Sequence, residues 1–223
     1  MESGGEVQSS VLRVGGLAGI LTGVLVVAAI ITFVAAMPSF TFPPDLATDL
    51  ERFPENGTIL RAGFSIQVVA LLLLLPFLAA FYRSLREPSR VFARIGLGSG
   101  VLAVILAILG FQGNLQSTHI FSVVLEDFPA DRAVVVATYA AVQSLVAAVN
   151  VMSFLFLGLA FAAFGLAMRA NPAYSEGFAW LTLVLGLLIV LFPLPLLGLF
   201  SILLFIVLAV VLGWKVYSLA GAV

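Results

Sequence analysis

The chain has 223 residues, of which 62% are hydrophobic and only 9% charged, with a net charge of −1, one histidine and no cysteine. Such a composition, gathered into apolar runs of about 20 residues, belongs to a polytopic membrane protein rather than to one or two soluble domains. It excludes disulfides, thiol catalysis and thiolate metal sites, leaves no imidazole cluster for a metal, and gives no electrostatic basis for binding nucleic acid.

In lipid a spanning segment must satisfy its own backbone polar groups, so the apolar runs read as helices. The first covers about 14–36. It is long for the apolar part of a signal peptide and is preceded by Glu2 and Glu6 with one base, Arg13, so it reads as a retained helix. Gly15, Gly19 and Gly23 share one face of it and predict a close helix–helix seam. Residues 37–60 read as the largest outer loop, broken by Pro38, Pro43, Pro44 and Pro54, with Asp45 capping a short helix up to Phe53. Asn56-Gly57-Thr58 is a glycosylation tripeptide, meaningful only in an outside loop.

Helix 2 is placed at 62–82, with a kink expected at Pro76. Arg83, Arg86, Arg90 and Arg94 follow it, helix 3 covers 95–112, and 113–131 reads as a second outer, polar loop. From Arg132 to Arg169 there is then no charge at all. At about 1.5 Å per residue a helix of this length is roughly 54 Å long, against a hydrocarbon core of about 30 Å. Two crossings would need a turn, and Ala140–Val149 holds neither Pro nor Gly, so one overlong helix 4 at 132–168 is the reading adopted. Helices 5 and 6 follow at 177–192 and 196–217, joined by the tight turn Phe192-Pro193-Leu194-Pro195 into an antiparallel hairpin.

On this assignment the termini and the two links at 83–94 and 169–176 carry Arg13, Arg83, Arg86, Arg90, Arg94, Arg169 and Lys215 against four acids. The opposite loops carry Arg52, Arg61 and Arg132 against seven acids. The positive-inside rule therefore predicts both termini in the cytoplasm.

Arg132, Tyr139, Gln143 and Asn150 are spaced by seven, four and seven, on one face of helix 4. Gln67, Gln112 and Asn114 fall at a depth similar to that of Asn150. An amide left unpaired in lipid is costly, so these residues, with Tyr139, Gln143 and His119 near the mouth, are expected either to line an outward polar pocket or to hydrogen-bond neighbouring helices singly.

No ionisable side chain lies at the centre of any predicted helix, which argues against ion-coupled carriers, proton relays and voltage sensors. Lys215 lies too near the chain end for a retinal Schiff base and reads as an interfacial anchor beside Trp214 and Tyr217. His119 with Glu126, Asp127 and Asp131 lacks a metalloenzyme ligand spacing, and nothing calls for a cofactor. The cluster Arg83, Arg86, Arg90 and Arg94 fits an ordinary cytoplasmic link or a lipid phosphate equally well.

The segment LGLAFAAFGLAMRANPAYSEGFAWLTLVLG, from Leu157 to Gly186, resembles the helix 4–helix 5 region of a prokaryotic six-helix membrane family known only as a domain of unknown function, number 4386. The opening of helix 1, RVGGLAGILTGVL, is similar too. The resemblance implies six helices in a prokaryotic plasma membrane and carries no functional residues with it. The nine-to-one excess of arginine over lysine also fits a prokaryote with a GC-rich genome.

The expectation is thus an all-α, single-domain, polytopic transmembrane six-helix bundle with an overlong fourth helix. Its partners would be membrane lipids, a second copy or another membrane protein. Two functions remain open: a non-catalytic protein that binds a lipid or small apolar ligand or assists a membrane partner, and a small transporter or channel subunit. A membrane enzyme lacks a recognisable catalytic set.

Overall fold

The computed structural model describes residues 3–36, 46–87, 89–127, 131–191 and 195–221, and within them the protein is a bundle of six helices. These are α1 (Ser3–Ala36), α2 (Leu46–Leu85), α3 (Arg90–Asp127), α4 (Arg132–Met168), α5 (Glu176–Val190) and α6 (Pro195–Leu219). All but α5 are long and apolar enough to cross a membrane. With 15 residues, α5 is only about 22 Å long. The loop expected at 37–45, with its Asp45 cap, and the turn at 192–194 lie outside the described residues.

Helix 4 is continuous, as its unbroken apolar run predicts, but it is not alone in its length. The expected outer loops at 37–60 and 113–131 are largely helical: α2 has 40 residues and α3 has 38, against 37 in α4. Pro54 does not end α2. It lies inside the helix, forfeiting one hydrogen bond at a cost of about 3 kcal/mol. Against that, Leu50, Phe53, Leu60 and Phe64 are all buried, at about 1.5–3 kcal/mol each, so burial outweighs the proline. The Asn56-Gly57-Thr58 tripeptide consequently lies on a helix, with Gly57 buried, not in a loop.

The polar stretch after Gln112 is helical for a different reason. Ser117 and Thr118 donate to the Asn114 carbonyl at 3.0 and 2.8 Å, and Ser122 donates to the His119 carbonyl at 2.8 Å. Hydroxyls satisfied by the preceding turn can be buried on a helix face, and all three are.

The helices follow one another around the bundle in the order α6, α1, α2, α3, α4, α5, with α2 also touching α4 and α6 at the centre. The ring closes weakly among the described residues: α5 packs on α4 and α6 on α1, while α5 and α6 meet only over a short stretch. The interior is filled by aromatic side chains. Phe77, Phe81, Phe161 and Phe164 are fully buried, with ring centroids 5.6 Å apart for Phe77–Phe81 and 4.8 Å for Phe81–Phe164. Phe161 reaches Phe205 on α6 edge-on at 6.1 Å.

Within lipid, apolar burial does not drive helices together, and close backbone approach at small residues takes over. A Cβ placed on Gly158 of α4 would come to 2.5 Å from the Gly186 carbonyl of α5, and one on Gly16 of α1 to 2.7 Å from the Gly213 carbonyl of α6. The glycine face predicted on helix 1 is a seam inside the monomer. Gly15 faces Ala80 and Pro76 of α2, Gly19 lies between Phe77 and Gly213, and Gly23 abuts Val210 of α6.

Ser9 donates to the Ala220 carbonyl at 2.9 Å, which puts the start of α1 beside the end of α6. At the same end, Asn171 Nδ2 donates to the Ser84 carbonyl at 2.8 Å, joining the α2–α3 and α4–α5 links. The start of α1, the end of α6 and both basic links therefore share one end, termed the basic end here. Counting about 20 residues from Arg83, Arg94 and Arg169 places the opposite hydrocarbon boundary near 63, 114 and 149. Residues 46–62, 115–127 and 132–148 extend beyond it as a three-helix projection roughly 20–25 Å tall.

Candidate functional site

The projection is held by a hydrogen-bonded cluster between α3 and α4. Gln143 Nε2 donates to Asn114 Oδ1 and to Ser117 Oγ, both at 3.1 Å, and the Thr118 and Tyr139 hydroxyls meet at 2.9 Å. Tyr139 is buried, and its ring lies 5.6 Å from that of Phe121. Asn150 packs against Gly110, where any Cβ would collide with its amide. Four of the seven expected pocket residues, Asn114, Tyr139, Gln143 and Asn150, thus serve the α3–α4 contact. Their shared face on α4 is real, and it is turned onto α3. Gln67 and Gln112 are half-buried, without a side-chain hydrogen bond among the described residues.

His119 lies elsewhere, on the α2 side of α3. Arg61 Nη2 lies 3.3 Å from its Nδ1, and since a guanidinium can only donate, that ring nitrogen is the acceptor. The imidazole also lies 5.8 Å from the ring of Phe53. Around this pair α2 and α3 diverge into two adjoining cavities. One, of about 250 Å³, has an apolar floor of Leu50 and Leu125 and is bordered by Glu51 and Arg132. The other, of about 230 Å³, is lined by Phe53, Thr58, Arg61, His119 and Val123. Pro54, Ser122 and Glu126 border both, so the two form one cleft. Glu51 is paired with Arg132 across the cleft mouth. Glu126 is exposed and in no ion pair among the described residues. The cleft therefore offers an apolar floor, one carboxylate in no ion pair among the described residues, and a histidine held by arginine.

Of the residues lining this cleft, the sequence marks only His119 as a site residue; Glu126 lacks the spacing of a metal ligand, Pro54 and Phe53 read as parts of a loop, and Leu50 goes unremarked. A signal for them was present: Leu50, Phe53, Gly57, Leu60 and Phe64 recur at intervals of three and four, the stripe of an amphipathic helix. The prolines masked it.

The basic end has its own cavity, of about 470 Å³, formed by the α4–α5 link: Met168, Arg169, Ala170, Asn171, Pro172, Tyr174 and Glu176. Tyr174 is buried, 2.6 Å from the Ser84 hydroxyl. Burial pushes its phenol up to about 12, against the opposing pull of the Ser84 hydrogen bond. Of the arginine cluster, Arg86, Arg90 and Arg94 are exposed, with Arg86 paired to Glu87 at 3.1 Å. Arg83 is partly buried, and its Nε has no hydrogen-bond partner among the described residues.

No family model matches the chain, and neither a curated protein nor a solved structure is similar to it.

Proposed function

We propose that this multi-pass membrane protein is a non-catalytic binder of a small amphiphile, taken from the outer side into the cleft between α2 and α3. The carrying observation is the cleft itself, with its apolar floor of Leu50, Phe53 and Leu125 and the unpaired carboxylate of Glu126. Apolar lining with a few convergent polar groups is the general character of small-ligand sites. The matching ligand has an apolar body and an amino or other N–H donor to face Glu126.

The orientation belongs to the proposal. Seven of the ten bases lie at the end shared by the termini, so the positive-inside rule assigns that end to the cytoplasm and the three-helix projection to the outside. The resemblance to the prokaryotic six-helix family, and with it the proposal of a prokaryotic plasma membrane, rests on the Leu157–Gly186 segment, of whose glycines Gly158, Gly165 and Gly186 lie in the α4–α5 seam.

A transporter or channel reading is less favoured because the interior of a single copy is filled by Phe77, Phe81, Phe161 and Phe164. The glycine seam of α1 is also occupied by α2 and α6, which leaves it unavailable for self-association.

The test is native mass spectrometry of the protein purified in mild detergent. A retained small molecule of one-to-one stoichiometry, weakened about tenfold by Glu126→Gln, is expected, since a charge-assisted hydrogen bond contributes about 1.5–3 kcal/mol. Bare protein, or retention indifferent to both Glu126→Gln and Phe53→Ala, would refute the reading.

A further inference from the structure

A second site lies at the opposite end and stands independently of the outer cleft. The 470 Å³ cavity of the α4–α5 link is flanked by two cations that form no ion pair among the described residues. Arg169 lies over the Trp180 ring with its guanidinium carbon 4.7 Å from the centroid. Lys215 Nζ is 6.0 Å from the centroid of Tyr174, which lines the cavity. Glu176 also lines it, but its Oε1 accepts from the Trp180 indole at 3.4 Å. The Asn171 amide is spent on the Ser84 carbonyl and on the Ala173 N–H, at 2.8 and 3.0 Å.

The depth is that of a membrane interface. Trp180 is exposed beside the site, and Trp214 and Tyr217, exposed near the end of α6, are stacked at 6.1 Å. From the cavity α5 runs along the bundle, packed closely on α4 and, among the described residues, more lightly on α6. Leu181, Val184, Leu187, Leu203 and Val207 are exposed on these two helices. A polar cavity lined by Arg169, with Lys215 over the Tyr174 ring of its wall, thus sits beside the exposed apolar flank of α5 and α6.

We infer that this is a binding site for an anionic phospholipid of the leaflet at the basic end, its headgroup phosphate held by Arg169 and Lys215 and its acyl chains laid along the α5–α6 seam. Charge decides the class of lipid. The basic end carries seven bases against four acids, and Arg169 and Lys215 lack a carboxylate partner within the described protein. The short α5 gives the arrangement a physical use. Its 15 residues fall several ångströms short of the hydrocarbon thickness, and a lipid packed beside it covers flank that α6 leaves bare.

The protein contains only two tryptophans, so the site reports on itself. In Trp214→Phe, Trp180 is the sole indole, beside Arg169. Reconstituted with bromine-labelled lipids, this variant is expected to be quenched by phosphatidylglycerol at about a tenfold lower mole fraction than by phosphatidylcholine, as two interfacial cations imply. Arg169→Gln and Lys215→Gln are each expected to reduce that preference several-fold with unchanged helix content by circular dichroism, and Lys215→Arg to restore it. Equal quenching by the two lipids, or a preference untouched by both glutamine variants, would overturn the site. Excess inorganic phosphate is expected to leave the quenching unchanged; relief of quenching would overturn a lipid as the occupant. Glu176→Gln is expected to keep the preference for phosphatidylglycerol, and its loss would count against an anionic headgroup in favour of one bearing an ammonium.

Discussion

Replacing Gly186 by alanine tests the packing argument with a single methyl group. A Cβ there would sit 2.7 Å from the Gly158 carbonyl oxygen and 3.0 Å from the Ala162 Cα, with the Ala162 nitrogen nearer still. Ordinary contacts of this kind begin at 3.4 Å, and the opposing atoms are helix backbone with no rotamer to change, so α5 must move. Overpacking of this sort costs about 1–3 kcal/mol, partly offset by the 0.5–1 kcal/mol that alanine gains over glycine inside a helix. Gly98 of α3 is the matched control, because nothing lies within 4 Å of a Cβ placed there. Only the propensity gain remains at that site, so Gly98→Ala is expected to stabilise by roughly 0.5–1 kcal/mol. The two variants make the same chemical change and should differ in sign. Equilibrium unfolding in mixed micelles of mild detergent and SDS, followed by circular dichroism, reads both. Equal effects at Gly98 and Gly186 would refute the claim that backbone contact holds α5 on α4.

Two further outcomes follow from the fold. The chain lacks cysteine, and Ser144 and Ser175 are both exposed, Ser144 in the projection and Ser175 at the basic end; single cysteines there should be labelled from outside by an impermeant maleimide at 144 only, and reversed or equal labelling would defeat the orientation. Tyr174 should ionise well above the ordinary phenol range, seen as a late step in phenolate absorbance. Its folded pKa of about 12 lies above the ordinary 10.0, so the stability of the buried neutral phenol is fully present below pH 10 and is lost as pH rises through 12. Tyr174→Phe should abolish that alkaline loss, and an unchanged profile would show that the phenol is not buried in solution.

The helices were legible because lipid allows an uncharged run few alternatives. The stretch between Arg132 and Arg169 could only be one long helix or two short ones, and the lack of a turn residue decided for one. The outer segments were harder. Water permits loops, so Pro54 and the run of Gln, Ser, Thr and His after Gln112 carried the signature of a loop although the chain there is helical. What overrode those local signals was the mutual burial of Leu50, Phe53 and Phe64, and the return of each buried hydroxyl to the preceding turn.

The site residues divide in the same way. That Tyr139, Gln143 and Asn150 share a face follows from helical periodicity alone; that the face meets Asn114, Ser117 and Gly110 of α3 does not. Periodicity says which residues point together, and only packing says what they point at. His119 was placed near the amides by depth, yet it lies around the helix on the α2 side, because depth leaves the rotation of a helix undetermined.

By itself the sequence determined the spanning character of the chain, the number of helices and the grouping of basic residues at one end, since each depends on composition along the chain. Tertiary structure alone decided that α2, α3 and α4 rise together as one projection, and that among the described residues α5 packs on α4 far more than on α6. Those features depend on contacts between residues far apart in the chain, where burial and backbone approach outweigh local preference.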